Sequence, residues 1–196
     1  MNNTNPFIYS DDNKRYHTLN YYNKSSFNSK VFKAVIDAGF TCPNKDGTKG
    51  TGGCIYCMGG SGYFTEKSDG EIYDSVKRQL AAEKERIYKK HPDSLITAYF
   101  QANTNTYAPV ATLKEAYTAA LDFGVHGISI GTRADCLPDD VIALLCDINS
   151  KTHLTVELGL QTIHDKSAQI INRCYTYDEF LEGYRKLQEY GIRTCL

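Results

Sequence analysis

The sequence predicts an α/β fold organised on a parallel sheet. Short segments rich in β-branched and apolar residues alternate with longer segments whose apolar positions return every three to four residues. The alternation recurs at roughly 30–40 residue intervals, the spacing of strand–helix–strand units whose strands must run parallel. Each strand segment also divides at period two into an apolar set and a polar or small set. Parallel strands covered on both faces usually read as unbroken apolar runs. Here one face is expected to pack on helices and the other to line a wet or ligand-filled interior.

The elements follow in order. Residues 1–30 show no clear period and read as a lead-in segment that packs on the surface through Tyr16, Tyr21, Tyr22 and Phe27, with residues 31–196 as one core domain. Residues 31–38 (VFKAVIDA) make the first strand. Ser68 and Glu71 have the spacing of a capping box, and the helix behind them presents Ile72, Val76, Leu80 and Ile87 as one stripe. That helix stops near His91-Pro92, because proline restrains the residue before it. Residues 95–101 (LITAYFQ) form the second strand. Thr112 and Glu115 suggest another capping box, with Leu113, Ala116, Tyr117, Ala120 and Leu121 inward and Gly124 as the stop. Residues 127–131 (GISIG) are the third strand. Pro138 suits the first turn of the next helix, which buries Val141, Leu144, Leu145 and Ile148. Residues 154–161 (LTVELGLQ) are the fourth strand. A short helix over about 165–172 and a longer one opened by Thr176 and Glu179 precede a fifth strand over 192–196, in which the chain looks cut.

The polar sets of these strands are Lys33 and Asp37; Thr97, Tyr99 and Gln101; Ser129, Gly131 and Arg133; and Thr155, Glu157, Gly159 and Gln161. Burying Glu157 and Arg133 without partners would cost on the order of several kcal/mol each. Either they pair with each other or they meet a ligand.

A chain of 196 residues with 41% hydrophobic content suffices for one sizeable core. Lys plus Arg number 22 against 23 Asp plus Glu, so no strong field points to a polyanionic partner. No apolar run of about 18 residues exists to span a membrane. The seven cysteines, an odd number without a secretory signal ahead of them, read as reduced, cytoplasmic and available for a metal rather than for disulfides.

Three of them stand in one glycine-rich stretch over residues 37–60. Cys42, Cys54 and Cys57 are spaced C-x11-C-x2-C. A pair two residues apart grips one metal centre around a tight turn, and the third sulfur arrives across the glycine-rich loop. The nearest histidines are His17 and His91. Three thiolates without a fourth ligand describe an open site.

Four blocks then stand in a characteristic order: FTCPNKDGTKGTGGCIYC at the cysteines, AYFQANTNTYAP over 98–109, GTRADC over 131–136 and ELGLQT over 157–162. Together they resemble the radical S-adenosylmethionine (SAM) superfamily, and within it an uncharacterised bacterial group related to the elongator catalytic subunit. The resemblance runs from about Arg15 to the end of the chain. It implies a partial (β/α)6-type parallel barrel, truncated in its fifth strand. It implies a 4Fe-4S cluster held by Cys42, Cys54 and Cys57, whose fourth iron chelates the amino and carboxylate groups of SAM. One electron through the cluster would cleave SAM to methionine and a 5′-deoxyadenosyl radical that attacks an unknown substrate. The electron would come from an external donor of flavodoxin or ferredoxin type.

Further roles follow from the same resemblance. Tyr56 is similar to the aromatic residue that flanks adenine. Gln101, Asn103 and Thr104 stand where many members carry a GGE-like motif for the SAM amino group. Arg133 is expected to fork onto the SAM carboxylate, and Glu157 and Gln161 to reach the ribose hydroxyls or the methionyl amine. The sequence departs from the family in three places: the C-x11-C-x2-C spacing replaces C-x3-C-x2-C, the GGE motif is absent, and Ala134 replaces a common proline. Kinship with the elongator subunit hints at RNA or acyl-CoA chemistry, although the near-neutral charge offers RNA no support.

The remaining cysteines, Cys136, Cys146, Cys174 and Cys195, read as structural, and His126, His153 and His164 as capping or surface residues. The competing reading is a zinc-stabilised binding module using Cys42, Cys54, Cys57 and one histidine. Zinc normally closes with four protein ligands at short spacings, which this pattern fits poorly. A thioredoxin-type redox protein would explain Cys54 and Cys57 but leave Cys42 idle.

Overall fold

The computed structural model describes residues 14–57 and 68–196, so Gly59 and Gly60 of the cysteine stretch and the first part of the lead-in lie outside the described residues. The chain enters through helix α1 (Leu19–Phe27), capped by the Thr18 hydroxyl, which accepts from the backbone N–H of Tyr21. No period announced this helix. It carries Phe27 edge-on against His126 and His153, with ring centroids 4.4 and 4.9 Å away. The two histidines therefore clasp an aromatic side chain at the N-terminal end of the sheet.

Among the described residues, five strands form one parallel sheet in chain order: β1 (Val31–Ile36), β2 (Leu95–Phe100), β3 (Gly127–Thr132), β4 (His153–Leu158) and β5 (Arg193–Cys195). Each strand pairs with the next in sequence, and the sheet does not close on itself. The architecture is α/β, an open parallel sheet consistent with part of a barrel. The crossovers are α2 (Ile72–Tyr88), α3 (Val110–Phe123), α4 (Asp139–Lys151) and the pair α5 (Asp165–Ile170) and α6 (Tyr177–Glu189). The helical crossovers follow from the alternation of periods in the sequence, since a parallel neighbour needs a crossover and an amphipathic helix supplies it.

The expected alternation appears directly. Ala34, Ile36, Ile96, Ala98, Phe100, Leu154, Val156 and Leu158 are buried on one face and form the core with Val76, Leu80, Leu113, Leu145 and Leu187 of the helices. The opposite face carries Lys33, Thr97, Tyr99, Ser129, Thr155 and Glu157, side by side through the strand register. Only central β3 is buried along most of its length, as expected for a strand with neighbours on both sides.

The termini correct several local expectations. The Thr176–Glu179 capping box forms, each side chain bonding the other's backbone N–H. The Ser68–Glu71 box does not: α2 starts one residue beyond Glu71 without a side-chain cap. Thr112 lies inside α3, whose first turn follows Pro109. Proline there pre-sets the backbone and removes an N–H that would have needed a cap.

Candidate cofactor site at the C-terminal ends of the strands

The long cysteine loop is held by its own backbone. The carbonyl of Cys42 accepts from the N–H groups of Lys45 and Asp46 at 2.8 and 3.1 Å, and that of Pro43 from Lys49 and Gly50 at 2.8 and 3.1 Å. An antiparallel bridge joins Asp46 to Thr51, turning the chain back on itself. Gly53 follows at φ +77°, a conformation costly for other residues. Its N–H donates to the Asn44 carbonyl at 2.8 Å, and the N–H of Cys57 donates to Cys54 at 2.8 Å. Eleven intervening residues thus fold into a compact turn that returns Cys54 and Cys57 to the neighbourhood of Cys42.

All three cysteines line one cavity of about 150 Å³ at the C-terminal ends of β2, β3 and β4. Tyr56, Asn103, Thr104, Arg133 and Gln161 line it as well, so eight of the ten sequence-predicted residues share it. Gln101 and Glu157 are not among its walls. Among the described residues no aspartate, glutamate or histidine lines it either, whereas Lys45, Arg133 and Arg173 do. The cavity is built to receive negative charge. A 4Fe-4S cube carried by three thiolates is anionic, so the donor set fits that group. Among the described residues no three His, Cys, Asp or Glu side chains converge on a point where a single ion would sit. A cube needs no such point, because each iron takes its own sulfur.

The β2–α3 loop supplies the polar wall. Ala102 and Asn103 both sit at positive φ, +57° and +61°, an uncommon state for residues with a side chain. They are pinned there. Asn103 donates to the Phe40 carbonyl at 2.8 Å and accepts from Lys45 Nζ at 2.7 Å, and the N–H of Thr104 donates to Thr41 at 3.1 Å. The Thr104 side chain is buried, yet its hydroxyl has no hydrogen-bond partner. An orphaned buried hydroxyl costs about 1–3 kcal/mol, which a bound polar ligand would recover.

Arg133 and Glu157 do not pair with each other. The Arg133 guanidinium forks onto Asp135, Nε to Oδ1 at 2.9 Å and Nη2 to Oδ2 at 2.8 Å, and Nη1 donates to the Arg173 carbonyl at 2.9 Å. Its planar fork is therefore taken by its own neighbour. Asp135 also accepts from Lys49 of the cysteine loop at 2.6 Å. Burial alone would raise the Asp135 carboxyl, but the two cations outweigh it and hold it below the ordinary carboxylate range. Glu157 accepts from Lys33 and, at 2.6 Å, from Ser129 on the open face of the sheet. Lys33 lies over the Tyr99 ring at 4.0 Å. Burial pushes Glu157 up, but these donors hold it low and ionised.

Arg173 was absent from the sequence reading. It is 1% exposed and the largest of the fully buried side chains. Nη1 donates to the carbonyls of Leu160 and Thr162 at 2.6 and 2.7 Å, and Nε and Nη2 donate to Tyr175 at 3.1 and 3.0 Å. Its nearest carboxylate is exposed Asp165 at 3.9 Å. A lone arginine in a loop gives no sequence signal for this cage, which exists only because residues 160–175 wrap it. Cys136 is unreactive by position: burial, aided by Asp135, pushes its thiol up to about 12. All seven cysteines are unpaired thiols.

Comparison with known proteins agrees with this geometry. The model of the Radical SAM superfamily matches residues 46–196, which includes Cys54 and Cys57 and begins just after Cys42. The chain is 48% identical over 197 residues to the uncharacterised protein YtqA of Bacillus subtilis, covering all of this chain and 60% of that protein. It is 35% identical over 171 residues to the protein YhcC of Escherichia coli K12, covering 86% of this chain and 53% of that one. Over 181 residues it is 33% identical to the uncharacterised protein MJ0486 of Methanocaldococcus jannaschii, 89% of this chain and 53% of that protein, so the likeness extends beyond bacteria. The chain thus spans between half and two thirds of the length of these relatives. With three cysteines on one cationic cavity at the strand ends and a family match along most of its length, the chain belongs to the radical SAM superfamily.

Proposed function

We propose that this chain carries the cofactor-binding half of a radical SAM enzyme. Cys42, Cys54 and Cys57 would hold a 4Fe-4S cluster in this cavity, and SAM would reach out from it over the open ends of the strands. The observation that supports this most strongly is the cavity itself: among the described residues, three thiols, three cationic side chains and no carboxylate surround an unpartnered Thr104 hydroxyl. When bound, the cluster supplies the single electron that cleaves SAM to methionine and a 5′-deoxyadenosyl radical.

The chain's own residues bind, orient and exclude water. Asn103 and Thr104 present amide and hydroxyl groups from a loop locked at positive φ, where they contact the methionyl part of SAM. Tyr56, half-exposed between the paired cysteines, covers the adenine, and Gln161 reaches from the β4 end. Arg133 spends its fork on the Asp135 carboxylate and braces the wall, rather than offering that fork to the carboxylate of SAM. Gln101 and Glu157 stand outside the cavity, and Glu157 with Lys33 and Tyr99 faces the space where a substrate would approach. The substrate is unknown, and an external one-electron donor of flavodoxin or ferredoxin type completes the reaction in a reducing, cytoplasmic setting. No helix among the described residues is long and apolar enough to cross a membrane.

The zinc-module reading finds less support, because no histidine lines the cavity and zinc would need four ligands at one point. The test is anaerobic reconstitution of the full-length protein with iron and sulfide, then reductant and SAM. Iron, sulfide and 5′-deoxyadenosine in the wild type are expected. Cys54→Ala should abolish cluster assembly and Cys146→Ala should leave it intact. Stoichiometric zinc, or equal loss in both variants, refutes the assignment.

A further inference from the structure

Asn44 is fully buried inside the cysteine loop. Its amide nitrogen lies 3.5 Å from Cys54 Sγ and also donates to the carbonyl of Asn172. The orientation of the amide is not arbitrary. The Asn172 carbonyl can only accept, so the nitrogen must face it, and the same nitrogen then faces the sulfur. The amide oxygen points the other way and has no partner. Space on that side is tight: a Cβ at Gly50 would collide with this oxygen and lie 2.9 Å from Cys174 Sγ. Flipping would set oxygen against both the carbonyl and the sulfur.

The cage continues into the α5–α6 loop. Asn172, held at φ +54°, donates its own side-chain amide to the Gly53 carbonyl at 2.8 Å. The backbone of Asn44 accepts from Gly53 as well. Asn44 therefore does two separable things. It ties the loop to residue 172, and it donates one N–H to the sulfur of Cys54. The chain leaves a buried acceptor unpaired to do so, which is unfavourable. A buried amide that sacrifices its own oxygen while presenting its nitrogen to a thiol is fitted to a sulfur that carries negative charge.

We propose that Asn44 is a positioning residue that sets the reduction potential of the bound cluster through its N–H to Cys54 Sγ. This rests on Cys54 as a cluster ligand. The physical reason is general: each hydrogen bond to a cluster sulfur stabilises the more negative, reduced state over the oxidised one. Removing the donor makes the cluster harder to reduce.

The experiment uses the full-length protein, reconstituted anaerobically with iron and sulfide and without SAM. Iron and sulfide per chain are measured first, and the midpoint is then read by redox titration followed by electron paramagnetic resonance. Asn44→Leu keeps the volume and removes the donor. Asn172→Ala removes the side-chain tether between the α5–α6 loop and Gly53 and leaves both the donor and the residue-172 carbonyl it also reaches. Asn44→Leu should hold wild-type iron and show about a tenfold lower reduced-to-oxidised ratio at the wild-type midpoint, a shift of about 59 mV to more negative potential. Asn172→Ala should keep the wild-type midpoint. Where Asn44→Leu assembles no cluster, Asn44→Ala is read in its place against the same expectation. An unchanged midpoint in the Asn44 variant, or an equal shift in Asn172→Ala, overturns the proposal. So does loss of the cluster in both Asn44 variants with retention in Asn172→Ala, since the residue then serves assembly alone. A wild type that takes up no iron and sulfide instead refutes the cluster reading above.

Discussion

Replacing Arg173 with leucine should destabilise the site from inside while removing no surface contact. The guanidinium supplies hydrogen bonds to three carbonyls, those of Leu160, Thr162 and Tyr175, at 2.6 to 3.1 Å. Leucine leaves the Thr162 and Tyr175 carbonyls without these donors, while the Leu160 carbonyl keeps the backbone N–H of Thr162 at 2.6 Å. Each buried unpaired acceptor costs about 1–3 kcal/mol, so the gross loss for two is on the order of 2–6 kcal/mol. Removing a buried charge returns part of it, because the guanidinium no longer has to be kept out of water. The expected net loss is about 2–4 kcal/mol. Urea unfolding of the cluster-free, full-length protein measures it as a lower midpoint at unchanged slope. Amide hydrogen exchange should locate it, with residues 160–175 losing protection before the strands do. Arg173→Lys keeps the charge but not the planar fork, and should fall between the two. A change below about 0.5 kcal/mol in Arg173→Leu, the scale of an ordinary surface substitution, would show that the carbonyl cage does not hold this loop.

Three further outcomes are expected. Gly183 of α6 packs on the backbone of Ala134, where a Cβ would strike the carbonyl group, its carbon only 2.7 Å away. Gly183→Ala should therefore lose about 1–3 kcal/mol by thermal unfolding despite the gain of about 1 kcal/mol in helix propensity; a stabilised variant would refute the close approach. Thr104→Val removes a buried hydroxyl without a partner, so it should leave stability unchanged or up to about 1 kcal/mol higher and weaken SAM binding about tenfold in equilibrium dialysis. Equal affinity would exclude Thr104 from the SAM site. Acid unfolding should show two steps. His126 and His153 have folded pKa values lowered mainly by burial, so their contribution is full above 6.5 and is lost as pH falls below it. Asp135 is likewise depressed, so its contribution is complete above 3.8 and disappears only as pH falls through its lower folded value. Asp135→Asn should flatten the second step and leave the first, measured as urea midpoints against pH.

The sequence by itself determined the α/β class, the succession of strands and helices along the chain and the faces of the helices, and it displays the three-cysteine stretch, because each is a local pattern. Period two, period 3.6 and a C-x2-C turn are written within a few residues of one another. The Thr176–Glu179 capping box is local in the same way. The other two candidate boxes failed because Pro109 and the approach to Ile72 start their helices elsewhere. Helix α1 stayed hidden because its nine residues bury little but Asn23 and carry no apolar stripe. Only the tertiary structure decided which polar groups meet. Arg133 took Asp135, two residues away, rather than Glu157, while Glu157 took Lys33 across 124 positions. Arg173 and Asn44 acquired their surroundings from loops that the sequence separates by more than a hundred residues in the case of Asn44 and Asn172. Apolar burial is non-directional, so a face can be read from spacing. A hydrogen bond needs its partner within about 3 Å and correctly aimed, and that is settled only when the whole chain has folded.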